Sequence, residues 1–84
     1  MRYSVRLKPS ADRALSKLAR DVQARILGKL EQLAENPFPA GVEKMQEEPG
    51  YRVRVGDYRI VYDVLHHELT VFVIRIGHRR EIYR

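Results

Sequence analysis

No cysteine occurs in the 84 residues. That excludes disulfide staples, thiolate metal sites and a cysteine nucleophile. No apolar run approaches the ~18 residues of a membrane span. The first ten residues carry charges but no apolar stretch, so no secretory signal is expected. There is no glycine-rich phosphate loop, no HExxH and no GxSxG. Ser4, Ser10 and Ser16 lack convincing His and Asp partners, which argues against serine hydrolysis. His66, His67 and Glu68 are consecutive, and that is not the spacing of metal ligands on a strand. No metal and no cofactor is therefore expected. What remains is a soluble, cytoplasmic domain spanning residues 1–84. At this length only a little over ~60% of the unfolded surface is buried, so the core is marginal without a partner or efficient packing. With 44% hydrophobic residues, the chain is nonetheless too apolar to be disordered.

Lysine is also scarce. The formal charge of +5 comes from 16 Lys+Arg against 11 Asp+Glu, and 12 of the 16 cations are Arg. Arg suits planar, bidentate contact with phosphate better than Lys does. The charge is unevenly placed. Residues 40–50 carry Lys44 against Glu43, Glu47 and Glu48, whereas residues 51–84 carry seven cations, all Arg, and four anions. A solvated charged surface would account for this, and so would a phosphate-binding face built from the C-terminal third.

Residues 2–8 alternate, with Tyr3, Val5 and Leu7 on one side, and predict a half-buried strand. Pro9 is expected to end it. Ser10 reads as a helix N-cap with Asp12 in the first turn. A helix is predicted over 11–19, and a longer one from Asp21, acting as its cap, to residue 35, with Val22, Ile26, Leu30 and Leu33 on one face. Asn36-Pro37 stops it. Two helices so closely joined predict an antiparallel hairpin. Residues 37–50 hold three Pro and two Gly and read as a loop pinned by Phe38, Val42 and Met45. Strands are predicted over 51–55 and 58–65, joined at Gly56-Asp57 by a tight hairpin. A turn at 66–68 leads to a strand over 69–76, whose apolar run suits a central position, with Gly77 breaking it. The expected fold is α+β, in the order β-α-α-β-β-β. A helical hairpin covers one face of a four-stranded, mainly antiparallel sheet. The first strand is expected antiparallel to the second, and the other sheet face open to solvent.

The candidate chemistry lies on the strands. Arg52 and Arg54 share one face because side chains i and i+2 point together. Arg59 sits across the Gly56-Asp57 turn, within cross-strand reach. Arg79 and Arg80 follow the last strand. Each alone is an ordinary surface residue. Like charges so close repel, however, and convergence on one face is tolerated mainly where an anion is expected. Tyr83 is either a packing residue or, beside a phosphate, a base-stacking or proton-transferring group. His78 is a capping residue or the nearby group able to act as a general base at neutral pH.

The order of elements, the segment YRVRVGDYRIVYDV (51–64) and the ending VFVIRIGHRREIYR (71–84) resemble the RelE/ParE superfamily of bacterial and archaeal toxins, the RelE-like branch above all. The resemblance covers essentially the whole chain. It implies a microbial-RNase-like fold and a ribosome-dependent mRNA endonuclease acting in the ribosomal A site. There the ribose 2′-hydroxyl attacks the adjacent phosphate without metal, giving a cyclic phosphate and a free 5′-hydroxyl. Residue by residue, it implies catalytic roles for Arg52, Arg54, Arg59, Arg79 and Tyr83, with RNA contacts from Arg52, Arg54 and Arg80. The family's prototype has two Lys where this chain has Arg52 and Arg54. Lys can be tuned to act as a base and Arg effectively cannot. The cluster then acts mainly by electrostatic stabilisation, or His78 or Tyr83 takes part in proton transfer.

The resemblance also implies partners: mRNA on the ribosome, and a cognate RelB-like antitoxin, expected to be acidic and to fold on binding. Operator DNA is expected only through the antitoxin complex, and no membrane. Two other readings share the composition. One is a ParE-like toxin that acts on DNA gyrase, against which Arg59, Arg79 and Tyr83 together argue. The other is a basic nucleic-acid-binding module without catalysis.

Overall fold

The computed structural model describes residues 2–82, with the backbone alone at 81 and 82. The elements are β1 (Ser4–Leu7), α1 (Pro9–Ser16), α2 (Arg20–Glu35), β2 (Glu43–Lys44), β3 (Tyr51–Val55), β4 (Tyr58–Leu65), β5 (Thr70–His78) and α3 (Arg79–Ile82). The α+β fold is as expected, with two corrections to the sheet. It has five strands, because the loop after α2 contributes the two-residue β2. Its order is β1-β5-β4-β3-β2, so β1 does not lie antiparallel to the next strand but parallel to β5, with Ser4 opposite Thr70 and Leu7 opposite Val73. The apolar β5 explains this. An apolar strand is best protected in the middle of a sheet, with neighbours on both edges. The antiparallel meander of β2, β3, β4 and β5 supplies one, and β1 supplies the other.

Several local expectations also change. Pro9 does not stand outside the first helix but opens it at the first helical position, with Lys8 as N-cap, where proline lacks no needed donor. Asp21 is not the cap of α2 but lies in its first turn, after Ala19. Gly77 does not break β5, which runs through it to His78. Phe38 is less anchored than expected. It is 44% exposed, with its ring against Tyr51 at 5.0 Å and His66 at 6.2 Å.

Alternate residues of β3, β4 and β5 face the helices. Val53, Ile60, Tyr62, Val64, Val71, Val73 and Ile76 pack there with Ala11 and Leu15 of α1 and Ile26, Leu30 and Leu33 of α2. Burying an aliphatic or aromatic side chain contributes about 1.5–3 kcal/mol, a sizeable part of a net stability of roughly 5–15 kcal/mol. The buried Tyr62 hydroxyl donates to the Pro37 carbonyl oxygen, fastening the loop after α2 to the core. Burial, and then the neighbouring Tyr51, push the Tyr62 hydroxyl pKa well above its ordinary value.

The opposite face is not simply open. Direct pairs across the sheet place Arg52 beside Val61, Arg54 beside Arg59, and Val61 beside Arg75. Val61 is 1% exposed and Arg59 4%. The loop before β3 reaches this face: Glu48 pairs with Arg75 at 3.3 Å and Glu43 with Arg52 at 3.1 Å. The acidic run read in the sequence thus neutralises two particular arginines.

Candidate nucleic-acid interface

A cleft of about 440 Å³ opens beside β3. It is lined by Arg52, Arg54 and Arg59 from the sheet, Glu43 from β2, Lys29 from α2 and the backbone around Gly41. Four cations therefore meet one carboxylate. The alternation of β3 puts Arg52 and Arg54 on one face. The Gly56-Asp57 turn, with Gly56 at φ 58°, folds β4 back so that Arg59 stands opposite Arg54. This hairpin geometry needs positive φ, which glycine adopts without steric cost.

The cations differ in their freedom. Arg52 is tied to Glu43. Arg59 is buried, and its Nη1 donates to the Tyr58 carbonyl oxygen at 3.3 Å. Arg54 is exposed and has no carboxylate within ion-pair distance among the described residues. A buried guanidinium beside an exposed one suits an oxyanion that accepts from several donors. The first offers fixed donors and the second closes over the ligand.

Arg79 and Arg80 are exposed and begin α3 at the same end of the sheet. The Arg79 backbone N–H donates to the Asp57 carbonyl oxygen at 2.8 Å. Among the described residues neither lines the cleft. Tyr83 lies outside the described residues. His78 is not brought to the arginines. It pairs with Tyr58 across β4 and β5, and the two rings meet edge to face at 5.4 Å. Tyr58 packs against the core on the helix side. Because neighbours on a strand face opposite ways, the pairing that gives Arg59 to the cleft gives Tyr58 and His78 to the other face. The sequence pattern does not single out Lys29. It is one of four lysines, and nothing in a helical period shows which sheet edge a polar residue overhangs.

Residues 5–83 match the family described as ParE toxin of type II toxin-antitoxin system, parDE. The chain belongs to this family, within the RelE/ParE superfamily. It is 33% identical to Toxin RelG of Mycobacterium tuberculosis over 86 residues, covering 100% of this chain and 99% of that protein. Its fold is similar to that in the toxin-antitoxin complex RelBE2 from M. tuberculosis, with a TM-score of 0.83 at 27% identity over 94% of this chain and 100% of that one. It is also similar to that in the intact Escherichia coli RelBE toxin-antitoxin complex, with a TM-score of 0.80 at 29% identity over 90% and 95% of the two chains.

Proposed function

We propose that this toxin is a ribosome-dependent mRNA endonuclease of the RelE-like kind, neutralised by a RelB-like antitoxin. The observation that carries this reading is the direct opposition of Arg54 and Arg59 in a cleft that also holds Arg52 and Lys29. Such a group of cations repels itself and is stabilised by a phosphodiester. In the reaction, the 2′-hydroxyl oxygen bonds to phosphorus as its proton leaves. The bond from phosphorus to the 5′-oxygen breaks, that oxygen is protonated, and a cyclic phosphate remains. Negative charge builds on the phosphoryl oxygens in the transition state. Guanidiniums already in place stabilise it without reorganising, a contribution worth about 2.7–4 kcal/mol for one donor. Arg59 and Arg54 hold those oxygens, Arg79 joins them as the RNA seats, and Tyr83 works at the 2′-hydroxyl or stacks on a base.

The antitoxin partner follows from the same charge. An acidic, flexible segment folding across the arginine face relieves the repulsion and covers apolar surface left by the small core. Mapping mRNA 5′ ends after brief induction tests the reading, with in-frame cuts inside translated codons expected. Arg79→Ala and Tyr83→Phe are each expected to reduce both the cuts and the growth arrest. Growth arrest without cuts would overturn the nuclease reading. The family description favours a second reading, gyrase inhibition, which a supercoiling assay with purified gyrase separates from the first.

A further inference from the structure

A second cleft lies on the opposite face of the same sheet end. It has a volume of about 340 Å³ and sits between α1 and the end of β4 and β5. Arg13 and Lys17 line one wall, with Ser10 beside them, and Tyr58, Gly77 and His78 form the other. Arg13 and Lys17 are four residues apart at the end of α1, so they stand one turn above each other on one helix face. Among the described residues neither has an ion-pair partner, and no carboxylate lines the cleft. The opposite wall is the edge-to-face pair of Tyr58 and His78, a platform on which a base can stack. Two adjacent cations facing an aromatic wall match a nucleotide: phosphate to the cations, base to the rings. The volume falls within the range of small-ligand sites.

The placement says which nucleotide. Tyr58 and Arg59 are consecutive, and Gly77 and His78 are consecutive and paired with them. Tyr58, Gly77 and His78 therefore belong to the second cleft while Arg59 belongs to the first. The two clefts back onto each other across one end of the sheet, with the Gly56-Asp57 turn at the rim between them. We propose that the cleft of Arg13, Lys17, Tyr58 and His78 is a second RNA site, taking one nucleotide of the strand that flanks the bond held by Arg54 and Arg59. The identity of that strand rests on the nuclease reading. The phosphate-and-base chemistry of the site does not.

The test uses the purified full chain and a nine-nucleotide single-stranded RNA carrying 2′-O-methyl groups, so that it cannot be cut. Titration is expected to shift the Tyr58 and His78 ring signals in NMR spectra together with the Arg54 and Arg59 side-chain signals. A three-nucleotide RNA is expected to move the arginine signals more than the rings. The double variant Arg13→Ala/Lys17→Ala, both at exposed positions, is expected to abolish the ring shifts and weaken the nine-nucleotide RNA roughly 5- to 50-fold. The slope of log K against log salt is expected to become shallower by about 0.7 for each phosphate no longer neutralised. Unmoved ring signals with the wild type, or unchanged affinity and slope in the double variant, would overturn the proposal. Ring shifts and an altered slope without cutting of mRNA on ribosomes would keep this site and sink the nuclease reading alone.

Discussion

Arg54 and Arg59 occupy directly opposed positions on β3 and β4. Like charges so placed cost about 0.2–1 kcal/mol, so removing one separates function from folding. Arg54 is the better choice because it is exposed, whereas Arg59 is buried. Arg54→Ala is expected to lower ribosome-dependent cleavage about 100-fold, the loss typical of one oxyanion donor, while the melting temperature stays the same or rises. Unchanged cleavage would remove Arg54 from the site.

Lys29 reaches the same cleft from α2. Lys29→Ala is expected to weaken binding of uncleavable RNA and to make the slope of log K against log salt shallower by about 0.7, the effect of one phosphate contact on a single strand. Lys29→Arg should restore the slope. An identical slope in all three proteins would place Lys29 outside the RNA path.

Tyr62 joins the core to the loop after α2 through its bond to the Pro37 carbonyl oxygen. Tyr62→Phe leaves that buried acceptor unpaired and is expected to cost about 1–3 kcal/mol. The pH dependence has a defined sign. The folded pKa of Tyr62 is raised above the unfolded value of 10.0, chiefly by burial. The stability tied to the neutral hydroxyl is therefore fully present below pH 10 and is lost as pH rises past it toward the folded value. Urea melts from about pH 8 to about pH 11 should show the wild type losing its advantage over Tyr62→Phe at up to about 1.4 kcal/mol per pH unit at the alkaline end. A constant difference across that range would mean that Tyr62 ionises as freely in the folded protein as in the unfolded one.

Two glycines should respond to alanine with opposite sign. Gly50, just before β3, has φ 108°, and a Cβ there would lie 2.6 Å from the Tyr62 carbonyl oxygen. Gly50→Ala is expected to destabilise by at least about 1–3 kcal/mol, because both the backbone conformation and the space are wrong for it. Gly28 is inside α2, with nothing within 4 Å of the place a Cβ would take. Gly28→Ala is expected to stabilise by about 0.8–1 kcal/mol through helix propensity. Denaturant midpoints of the two variants check both signs.

The arginine cleft was legible where it depended on local rules. Period-two alternation put Arg52 and Arg54 on one face, and a Gly-Asp hairpin put Arg59 opposite. The same alternation, carried one residue further, sends Tyr58 and His78 to the other face. That step needed the register of β5, which depends on a bulge between the pairs of Val61 and Tyr62. It also needed β5 to run through Gly77, which sequence rules treat as a breaker. The roles of Glu43 and Glu48 were equally out of reach, since a two-residue strand and an irregular loop carry no period that names a carboxylate's partner.

By itself the sequence determined the α+β class, the helix faces, the β3–β4 hairpin and the excess of Arg over Lys. All of these follow from side-chain period, turn chemistry or composition within a few residues. Tertiary structure alone decided that β1 pairs with β5, that Lys29 overhangs the cleft and that Arg59 is buried. It also divided the basic charge between two faces. These are contacts between segments far apart in the chain, set by which edges and faces must be covered for the core to exclude water.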